Sequence, residues 1–172
     1  RDRKDKSTIN YLERMDIDII DKDWNIPTEY PDLTGYKQIA VDLETCDPNL
    51  KKFGPGWARN DGFIVGIAVA AGDYYGYFPI RHQNGHNLDP KVTMKWFKKQ
   101  MATPHIDKIM HNATYDAGWL SAEGVDIQGR IIDTMVTGAI VDENRFSYSL
   151  NNLGRDWIDM RKDERLLRAT AK

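Results

Sequence analysis

The sequence predicts an α/β domain in which a mixed β-sheet is flanked by helices. Apolar runs at 63–71 and 74–80 are separated by Gly72-Asp73, a turn typical of an antiparallel hairpin. Beyond Pro90, short apolar runs alternate with segments of helical periodicity, and this alternation is typical of strands joined by crossover helices. Because functional groups in such sheets collect at strand ends, we expect the site there.

Each element is predicted from its local pattern and its flanking turn residues. Apolar runs bounded by turn residues predict strands, and the spacing of Val92, Trp96 and Phe97 behind Pro90 predicts a helix. The glycines and prolines of 47–61 predict a long loop. The predicted strands are 37–45, 63–71, 74–80, 108–110 and 130–133, and the predicted helices are 7–15, 90–101, 114–122, 134–142, 149–157 and the basic stretch 161–172.

The composition excludes several classes of protein. At 172 residues, 41% hydrophobic and 29% charged, the chain fits one globular domain, and we interpret 1–35 as a peripheral arm and 36–172 as the domain. The single cysteine, Cys46, cannot form an internal disulfide, and no apolar run approaches the roughly 20 residues of a membrane span. A formal charge of −2 argues against binding nucleic acid by bulk electrostatics. It leaves open a nucleic-acid enzyme built on carboxylates and metal ions.

Two carboxylates stand near the end of the first predicted strand. Asp42 and Glu44 are two positions apart, so they project from the same face of a strand. Like charges this close are commonly stabilised by a shared cation, and an oxygen-only set favours Mg²⁺ or Mn²⁺ over zinc. The alternative is a pair of solvated carboxylates, and the D-x-E pattern alone leaves both interpretations open.

A second polar group follows the short strand at 108–110. His111 and Asn112 come directly after that strand, and Asp116 falls at the start of the next predicted helix. Asn112 alone is consistent with a turn residue, and Asp116 with an acid that stabilises a helix N-terminus by about 0.3–1 kcal/mol. Together with the earlier pair, however, Asp116 predicts three carboxylates at one edge of the sheet.

These motifs resemble those of a known enzyme family. The stretch VDLET (41–45) is similar to the first motif of DEDD-type 3′–5′ exonucleases, and HNATYD (111–116) is similar to the second. The DTM at 133–135 and the segment 148–157 resemble the parts that follow in the exonuclease domain of family A DNA polymerases. The stretch 47–70, with YFPIRH (77–82) after it, looks most like phage-type polymerases.

The resemblance runs in register over residues 36–157, and it implies an RNase H-like fold with phosphodiester hydrolysis by two metal ions, Mg²⁺ or Mn²⁺. Carried over by position, Asp42 would bridge both ions, Glu44 would bind the ion on the side of the nucleophile, and Asp116 would hold the second ion. The residues implied to contact the nucleic acid are Asn112, Tyr115 and Thr45.

The same resemblance implies partners and a location. The substrate would be the 3′ end of single-stranded DNA, trimmed in proofreading, and a polymerase domain would follow in the same polypeptide. No membrane partner is expected, and a phage-encoded enzyme would act in the cytoplasm of a bacterial host.

One motif of the family has no counterpart in the sequence. The third motif, Y-x-x-x-D or H-x-x-x-x-D, supplies a fourth carboxylate after the region that matches Trp157, yet 158–172 contains neither pattern. Tyr148 followed by Asn152 has the spacing, but Asn152 carries an amide and the position is too early. We therefore expect the domain to be incomplete at its C-terminus, with weak metal binding and little or no hydrolysis by these residues alone.

Two other functions remain open from the sequence. The chain could trim RNA 3′ ends, as enzymes of the RNase D kind do, although the phage-like loop and the DTM stretch favour DNA. Because the fourth carboxylate is missing, the chain could instead be a nucleic-acid-binding module without activity.

Smaller features carry predictions of their own. Trp57 and Phe53 are candidates for stacking on unpaired bases, and the alternative for their loop is a packed structural clasp. His82 and His86 have the i, i+4 spacing of a zinc pair, but the Gln-Asn-Gly between them favours a solvated loop. Asp133 is expected to cap the helix that follows it.

Overall fold

A computed structural model describes residues 25–160, which fall into two compact units: Ile26–Leu150, and a second unit that contains Asn25 and residues 151–160. The first unit holds a five-stranded sheet in the order β3-β2-β1-β4-β5. The strands are β1 (Gln38–Cys46), β2 (Phe63–Ala71), β3 (Tyr74–Pro79), β4 (Asp107–Met110) and β5 (Ile131–Asp133). The helices are α1 (Leu50–Phe53), α2 (Pro90–Met101), α3 (Ala113–Ala122), α4 (Thr134–Val141) and α5 (Leu150–Ile158), with a 3-10 helix at Gly56–Arg59.

The sheet is mixed, and this confirms the α/β fold class predicted from the sequence. The strands β1, β2 and β3 pair antiparallel in succession, whereas β1 pairs parallel with β4 and β4 pairs parallel with β5. The helix α2 lies in the connection to β4, and α3 lies in the connection from β4 to β5. The carboxyl ends of the three parallel strands β1, β4 and β5 therefore meet at one edge of the sheet, where polar groups of α/β sheets collect.

The alternation of β1 separates a buried face from a polar face. Ile39, Val41 and Leu43 have exposed fractions of only 0%, 3% and 7%, whereas Asp42 and Glu44 are exposed on the opposite face. Each fully buried aliphatic side chain of this kind contributes about 1.5–3 kcal/mol to folding. The core that this face joins includes Met94, Phe97 and Met101 of α2 and Trp119 and Leu120 of α3.

The helix α2 begins at the predicted residue because its first turn is capped. The side chain of Asp89 accepts hydrogen bonds from the backbone N–H groups of Lys91 and Val92 at 2.8 and 3.1 Å. Pro90 has no N–H to satisfy, so it fits the first helical position. The predicted bounds of this helix are thus confirmed.

The segment that precedes β1 packs on α2. The backbone N–H of Leu33 donates to Oε1 of Gln100 at 3.0 Å, and the Leu33 side chain is 1% exposed. The indole Nε1 of Trp96 donates to the carbonyl of Pro31 at 2.7 Å. Part of the predicted arm therefore contributes to the core, and the domain boundary at residue 35 stays a prediction.

A lysine is buried in β4, which the sequence pattern did not predict. Lys108 is 0% exposed, and its Nζ donates to the carbonyls of Thr103, Ile106 and Gln128 at 2.6, 2.8 and 2.6 Å. Burial lowers the pKa of Lys108 below its ordinary value, although the neighbouring Asp107 acts in the opposite direction. The three carbonyls supply the acceptors that a buried ammonium group requires.

The second unit contributes most of α5, close to the predicted helix at 149–157. The N–H of Met160 donates to the carbonyl of Gly154 at 3.0 Å, so the backbone turns back on the last part of α5. The predicted helices at 7–15 and 161–172 lie outside the described residues. Across residues 25–160, none of the helices has the length and apolar character needed to cross a membrane.

Candidate active site

Asp42 and Glu44 stand on the polar face of β1, near its carboxyl end. In the pairing of β1 with β2, Asp42 lies opposite Ala68 and Glu44 lies opposite Gly66. Residues directly opposite in an antiparallel pair share a face, so the nearest neighbours of both acids on β2 are small. Both carboxylates are therefore open to solvent on this side of the sheet.

The strand β2 is irregular where it passes Glu44. The pairing shifts after Glu44, so that Gly66 is paired with it while Val65 is skipped. The carbonyl of Val65 accepts hydrogen bonds from the backbone N–H groups of Ile80 and Arg81 at 2.9 and 3.1 Å. Such a bulge bends a strand and re-aims its side chains, and bulges are common next to active sites.

The helix α3 starts directly after β4, and this places Asp116 in its first turn. Asn112, which precedes the helix, has φ of 63° and ψ of 52°, a left-handed conformation that asparagine adopts more readily than most residues. Asp116 is 4% exposed, in contrast to the two open carboxylates on β1. An acid that only stabilises a helix N-terminus has no need to be buried. The burial of Asp116 therefore favours a functional role over that alternative.

Asp133 caps two helices at once. Its carboxylate accepts hydrogen bonds from the backbone N–H groups of Asn112, Ala113, Met135 and Val136 at 3.1, 2.8, 2.8 and 3.4 Å. Burial raises the pKa of Asp133, but these N–H groups outweigh it and hold the pKa below its ordinary value. The predicted cap on α4 is confirmed, whereas the cap on α3 was not predicted because its donors are distant in sequence.

The acids of the three elements are close enough to perturb one another. Burial, together with the negative charges of Asp42, Asp133 and Glu44, raises the pKa of Asp116 to about 7. At neutral pH this carboxyl is therefore divided between its charged and neutral forms. The structure thus brings Asp42, Glu44 and Asp116 into one electrostatic cluster.

Tyr115 joins α3 to the end of β1. Its hydroxyl forms a 2.8 Å hydrogen bond with Oγ1 of Thr45 and donates to Oδ2 of Asp47 at 3.1 Å. The same oxygen of Asp47 accepts the backbone N–H of Gly56 at 3.0 Å. Burial raises the pKa of Tyr115, so the hydroxyl remains protonated near neutral pH. This network fixes the loop after β1 beside the carboxylates.

The predicted loop at 47–61 contains more regular structure than expected, since α1 and the 3-10 helix both lie within it. The Arg59 guanidinium donates to the carbonyls of Phe53, Gly54 and Pro55 at 2.7, 3.1 and 3.2 Å. The glycines and prolines of this segment predict a loop, whereas its short helices are stabilised by the Arg59 side chain. A local sequence pattern does not reveal that contact.

The two candidate stacking residues of this loop have different environments. Trp57 lies across Gly118 of α3, where a Cβ atom would overlap its indole ring, so Trp57 is the packed clasp. Phe53 is 57% exposed, with Nζ of Lys52 4.8 Å and Cζ of Arg59 5.7 Å from its ring centroid. Phe53 is therefore the aromatic residue of this loop that remains open to a ligand.

The two histidines of the expected solvated loop also differ. His82 is half-buried, and its Nε2 lies 2.5 Å from the hydroxyl of Tyr77 on β3. The side chain of Asn87 holds both the backbone N–H and the carbonyl of His82, at 2.8 and 2.9 Å. His86 is exposed, as a solvated loop requires. His82 also lies in a loop, as predicted, but it is less solvated than expected because it contacts Tyr77 on β3, a partner that the spacing does not reveal.

The donor set suits a hard divalent cation in its chemistry. Asp42, Glu44 and Asp116 offer only carboxylate oxygens, and a nearby positive charge would relieve the repulsion that raises the pKa of Asp116. Among residues 25–160, no three His, Cys, Asp or Glu side chains form a ready-made metal centre. The three carboxylates are nevertheless chemically appropriate ligands for such an ion.

Comparison with known proteins identifies the family. A family model described as 3′–5′ exonuclease matches residues 29–170. This chain belongs to the 3′–5′ exonuclease family. It is 32% identical over 169 residues to a DNA-directed DNA polymerase of Pseudomonas phage M6, covering 95% of this chain and 26% of that protein. It is 28% identical over 137 residues to DNA polymerase DpoZ of Acinetobacter phage SH-Ab 15497, covering 78% of this chain and 19% of that protein.

The exonuclease chain spans only a minor part of these relatives, 26% and 19% of their lengths. These matches confirm the resemblance to the exonuclease domain of phage DNA polymerases.

Solved structures confirm the RNase H-like exonuclease fold. Escherichia coli RNase D has a TM-score of 0.59 at 14% identity, over 84% of this chain and 36% of that chain. Brucella melitensis NrnC with bound Mg²⁺ has a TM-score of 0.55 at 15% identity, over 76% of this chain and 58% of that chain. At these identities the likeness concerns the fold alone.

Proposed function

We propose that this exonuclease domain removes nucleotides from the 3′ end of single-stranded DNA, as the proofreading activity of a DNA polymerase. The observation that carries the proposal is the buried Asp116 carboxyl, whose pKa is raised to about 7 by burial and by facing acids that include Asp42 and Glu44. Strongly perturbed carboxyls are typical of functional sites, because a fold gains no stability from repelling buried charges. Membership in the 3′–5′ exonuclease family names the reaction that this cluster would serve.

Two divalent cations, Mg²⁺ or Mn²⁺, are the proposed cofactors. When bound, such ions stabilise the attacking and leaving oxygens of an in-line displacement and lower the pKa of a bound water. Asp42 would contact both ions, Glu44 would hold the ion on the side of the nucleophile, and Asp116 would hold the other. Two observations support this proposal. All the donors are carboxylate oxygens, and a neighbouring positive charge would stabilise the ionised form of Asp116.

The residues beside the acids are proposed to position the DNA strand. The bond between the hydroxyls of Tyr115 and Thr45 keeps the start of α3 next to the end of β1, so both can face the same nucleotide. The side chain of Asn112 makes no capping hydrogen bond to α3, and we assign to it a contact with the strand near the scissile phosphate.

The proposed partner within the polypeptide is a polymerase domain on the C-terminal side. The matched phage proteins are DNA polymerases much longer than this chain, which supports that arrangement. The proposed exonuclease domain runs over 36–172, and the protein would act in the cytoplasm of a bacterial host.

The proposal is tested by incubating the complete protein with a 5′-labelled single-stranded DNA and Mn²⁺ or Mg²⁺. We expect a ladder of products that shorten stepwise from the 3′ end, and Asp42→Ala is expected to slow this trimming by orders of magnitude. Asp73→Ala is the matched control, because Asp73 is an exposed acid in the hairpin turn. Absence of trimming, or equal rates for Asp42→Ala and the unsubstituted protein, would contradict the proposal.

RNA is the alternative substrate, and the likeness in fold to Escherichia coli RNase D, an exoribonuclease involved in structured RNA processing, favours testing it. The same assay on an RNA of identical sequence separates the two, since faster trimming of RNA would replace the DNA assignment. A protein that binds single strands but takes up no Mn²⁺ in calorimetry would instead be a binding module without activity.

A further inference from the structure

We propose that Tyr77, held in place by His82, is a positioning residue for the Glu44 carboxylate during strand hydrolysis. The inference rests on the proposed exonuclease function and adds to it two residues, at the two ends of the stretch YFPIRH (77–82), that belong to neither of the two acidic motifs and to which the resemblance assigns no role. Three features of the sheet carry it: the register of the strands, the glycine at position 66, and the anchoring of His82.

The register places Tyr77 on the face that carries the acids. Asp42 lies opposite Ala68, and Ala68 lies opposite Tyr77, so these residues form one row across β1, β2 and β3. Because residues in such a row point to the same side, Tyr77 shares the polar face with Asp42. Its backbone is two strand spacings from β1, which is roughly 10 Å.

Gly66 allows the Tyr77 side chain to cover that distance. A Cβ atom at position 66 would overlap the Tyr77 hydroxyl and ring, so the phenol lies directly over this glycine. Gly66 is in turn the residue opposite Glu44. The hydroxyl therefore reaches across β2 to the neighbourhood of the Glu44 carboxylate.

Electrostatics agrees with this placement. Burial, together with the charge of Glu44, raises the pKa of Tyr77 to about 12. The hydroxyl consequently keeps its proton at any pH at which the enzyme would work, and it retains the ability to donate a hydrogen bond.

His82 fixes the hydroxyl from the other side. Its Nε2 lies 2.5 Å from the Tyr77 oxygen, and Asn87 holds the backbone of His82 at both its N–H and its carbonyl. A phenol has one donor and two acceptor positions, so when His82 donates, the Tyr77 proton is available to a second partner. On the polar face, Glu44 is the carboxylate whose charge acts on Tyr77.

The expected consequence is a narrower range of Glu44 orientations. Glu44 is exposed at the end of a strand, so its flexible side chain loses entropy when it is held in one orientation. A neutral donor beside it reduces that cost, and loss of groups that orient a metal ligand typically weakens metal affinity or activity by about 10–100-fold.

The first test compares Tyr77→Phe with Tyr75→Phe in the complete protein. Tyr75 is the matched control, since it lies on the same strand and face but is 82% exposed. We expect Tyr77→Phe to weaken Mn²⁺ binding in calorimetry by about tenfold and to raise the Mn²⁺ needed for half-maximal trimming by a similar factor. Single-strand affinity in EDTA should be unchanged for both variants.

The second test replaces His82 by Leu and by Gln, with His86→Leu as the control. His82→Leu should reproduce the loss of Mn²⁺ affinity, whereas His82→Gln should restore part of it because its amide can hydrogen-bond the Tyr77 oxygen. If Mn²⁺ affinity and the Mn²⁺ dependence of trimming match the unsubstituted protein in Tyr77→Phe and His82→Leu, the inference is wrong and the proposed function stands. If the unsubstituted protein trims no strand, both fail.

Discussion

The carboxylate of Asp133 accepts a 2.8 Å hydrogen bond from the backbone N–H of Ala113, 20 residues earlier in the chain. Its other oxygen accepts the N–H of Met135, also at 2.8 Å. One side chain therefore caps the N-termini of α3 and α4 together. Because α3 carries Asp116, this cap holds the helix that presents the buried acid.

Removing this shared cap should cost more than removing an ordinary one. Asp133→Ala is expected to lower the free energy of unfolding by about 2 kcal/mol, since each lost cap costs about 1 kcal/mol. Asp89→Ala, which removes the cap of α2 alone, should cost about half as much. Urea denaturation at pH 7 measures both values, and equal losses would show that the bonds to α3 contribute no stability.

The charge of Asp133 should be separable from its capping role. Asp133→Asn keeps an acceptor oxygen for the backbone N–H groups, but it removes a negative charge that raises the pKa of Asp116. We therefore expect the pKa of Asp116 to fall in this variant, as followed by NMR titration of the side-chain carboxyls without metal. An unchanged or higher pKa would contradict the electrostatic coupling of the two acids.

The raised pKa of Asp116 predicts a specific pH dependence of stability when metal is absent. Its folded pKa, about 7, lies above its ordinary value of 3.8, so the unfolded chain ionises first. The associated stability is fully present below about pH 4 and is lost as pH rises to 7, by up to about 1.4 kcal/mol per pH unit. Denaturation in EDTA at several pH values should show this decline, and Asp116→Asn should remove it.

Mn²⁺ provides the complementary measurement. An ion that binds the charged form of Asp116 should stabilise the unsubstituted protein more at pH 8 than at pH 5. At pH 8 most of the Asp116 carboxyl is already ionised, whereas at pH 5 the ion must displace its proton. Asp116→Asn should lose most of this stabilisation. An equal effect of Mn²⁺ on both proteins would place the ion elsewhere.

Phe53 should contribute to binding of unpaired bases, because its ring is exposed between two cations. Stacking on an aromatic side chain is worth about 1–3 kcal/mol per base, so Phe53→Ala should weaken single-strand binding by about tenfold or more. Fluorescence anisotropy in EDTA measures this without hydrolysis. Leu50→Ala is the control, since Leu50 is also exposed in the same loop but has no ring. Equal affinities of the two variants would exclude stacking by Phe53.

Lys108 should be essential for stability although it belongs to neither acidic motif. Replacing it by Met leaves three carbonyls without their ammonium donor, and we expect a loss of about 3 kcal/mol in the free energy of unfolding. Lys95→Met, at an exposed position of α2, should change stability by less than about 0.5 kcal/mol. Thermal or urea denaturation measures the free energy of unfolding of both variants. A small loss in Lys108→Met would mean that water takes over the hydrogen bonds that the Lys108 ammonium group donates.

Much of the fold follows from local sequence. The strand β2 and the helix α2 have the predicted bounds, because turn residues flank the apolar run of β2 and Asp89 and Pro90 set the start of α2. The strand β1 pairs antiparallel with β2 and parallel with β4. This pairing forms only when the sheet assembles, and it agrees with the mixed sheet that the order of strands and helices predicts. Local periodicity is informative for these two elements because each of them buries one face against the core.

The contacts that shape the site are long-range and were not predictable in this way. The bond between Tyr115 and Thr45 joins residues 70 positions apart, and the cap from Asp133 to Ala113 spans 20. The contact of His82 with Tyr77 depends on the position of β3, so the sequence around His82 predicts only a solvated loop. The buried Lys108 likewise depends on carbonyls from two connecting segments.

The bulge at Val65 makes the site sensitive to insertions and deletions as well as to substitutions. Deleting this one residue would leave all the acids in the sequence, yet it would remove the carbonyl that holds Ile80 and Arg81 immediately before His82. The segment that follows β3 would then lose two backbone hydrogen bonds beside Glu44. An engineer who wanted to silence the exonuclease without altering a carboxylate could therefore shorten β2 by a single residue, and homologues that differ in length at this point would be expected to differ in activity.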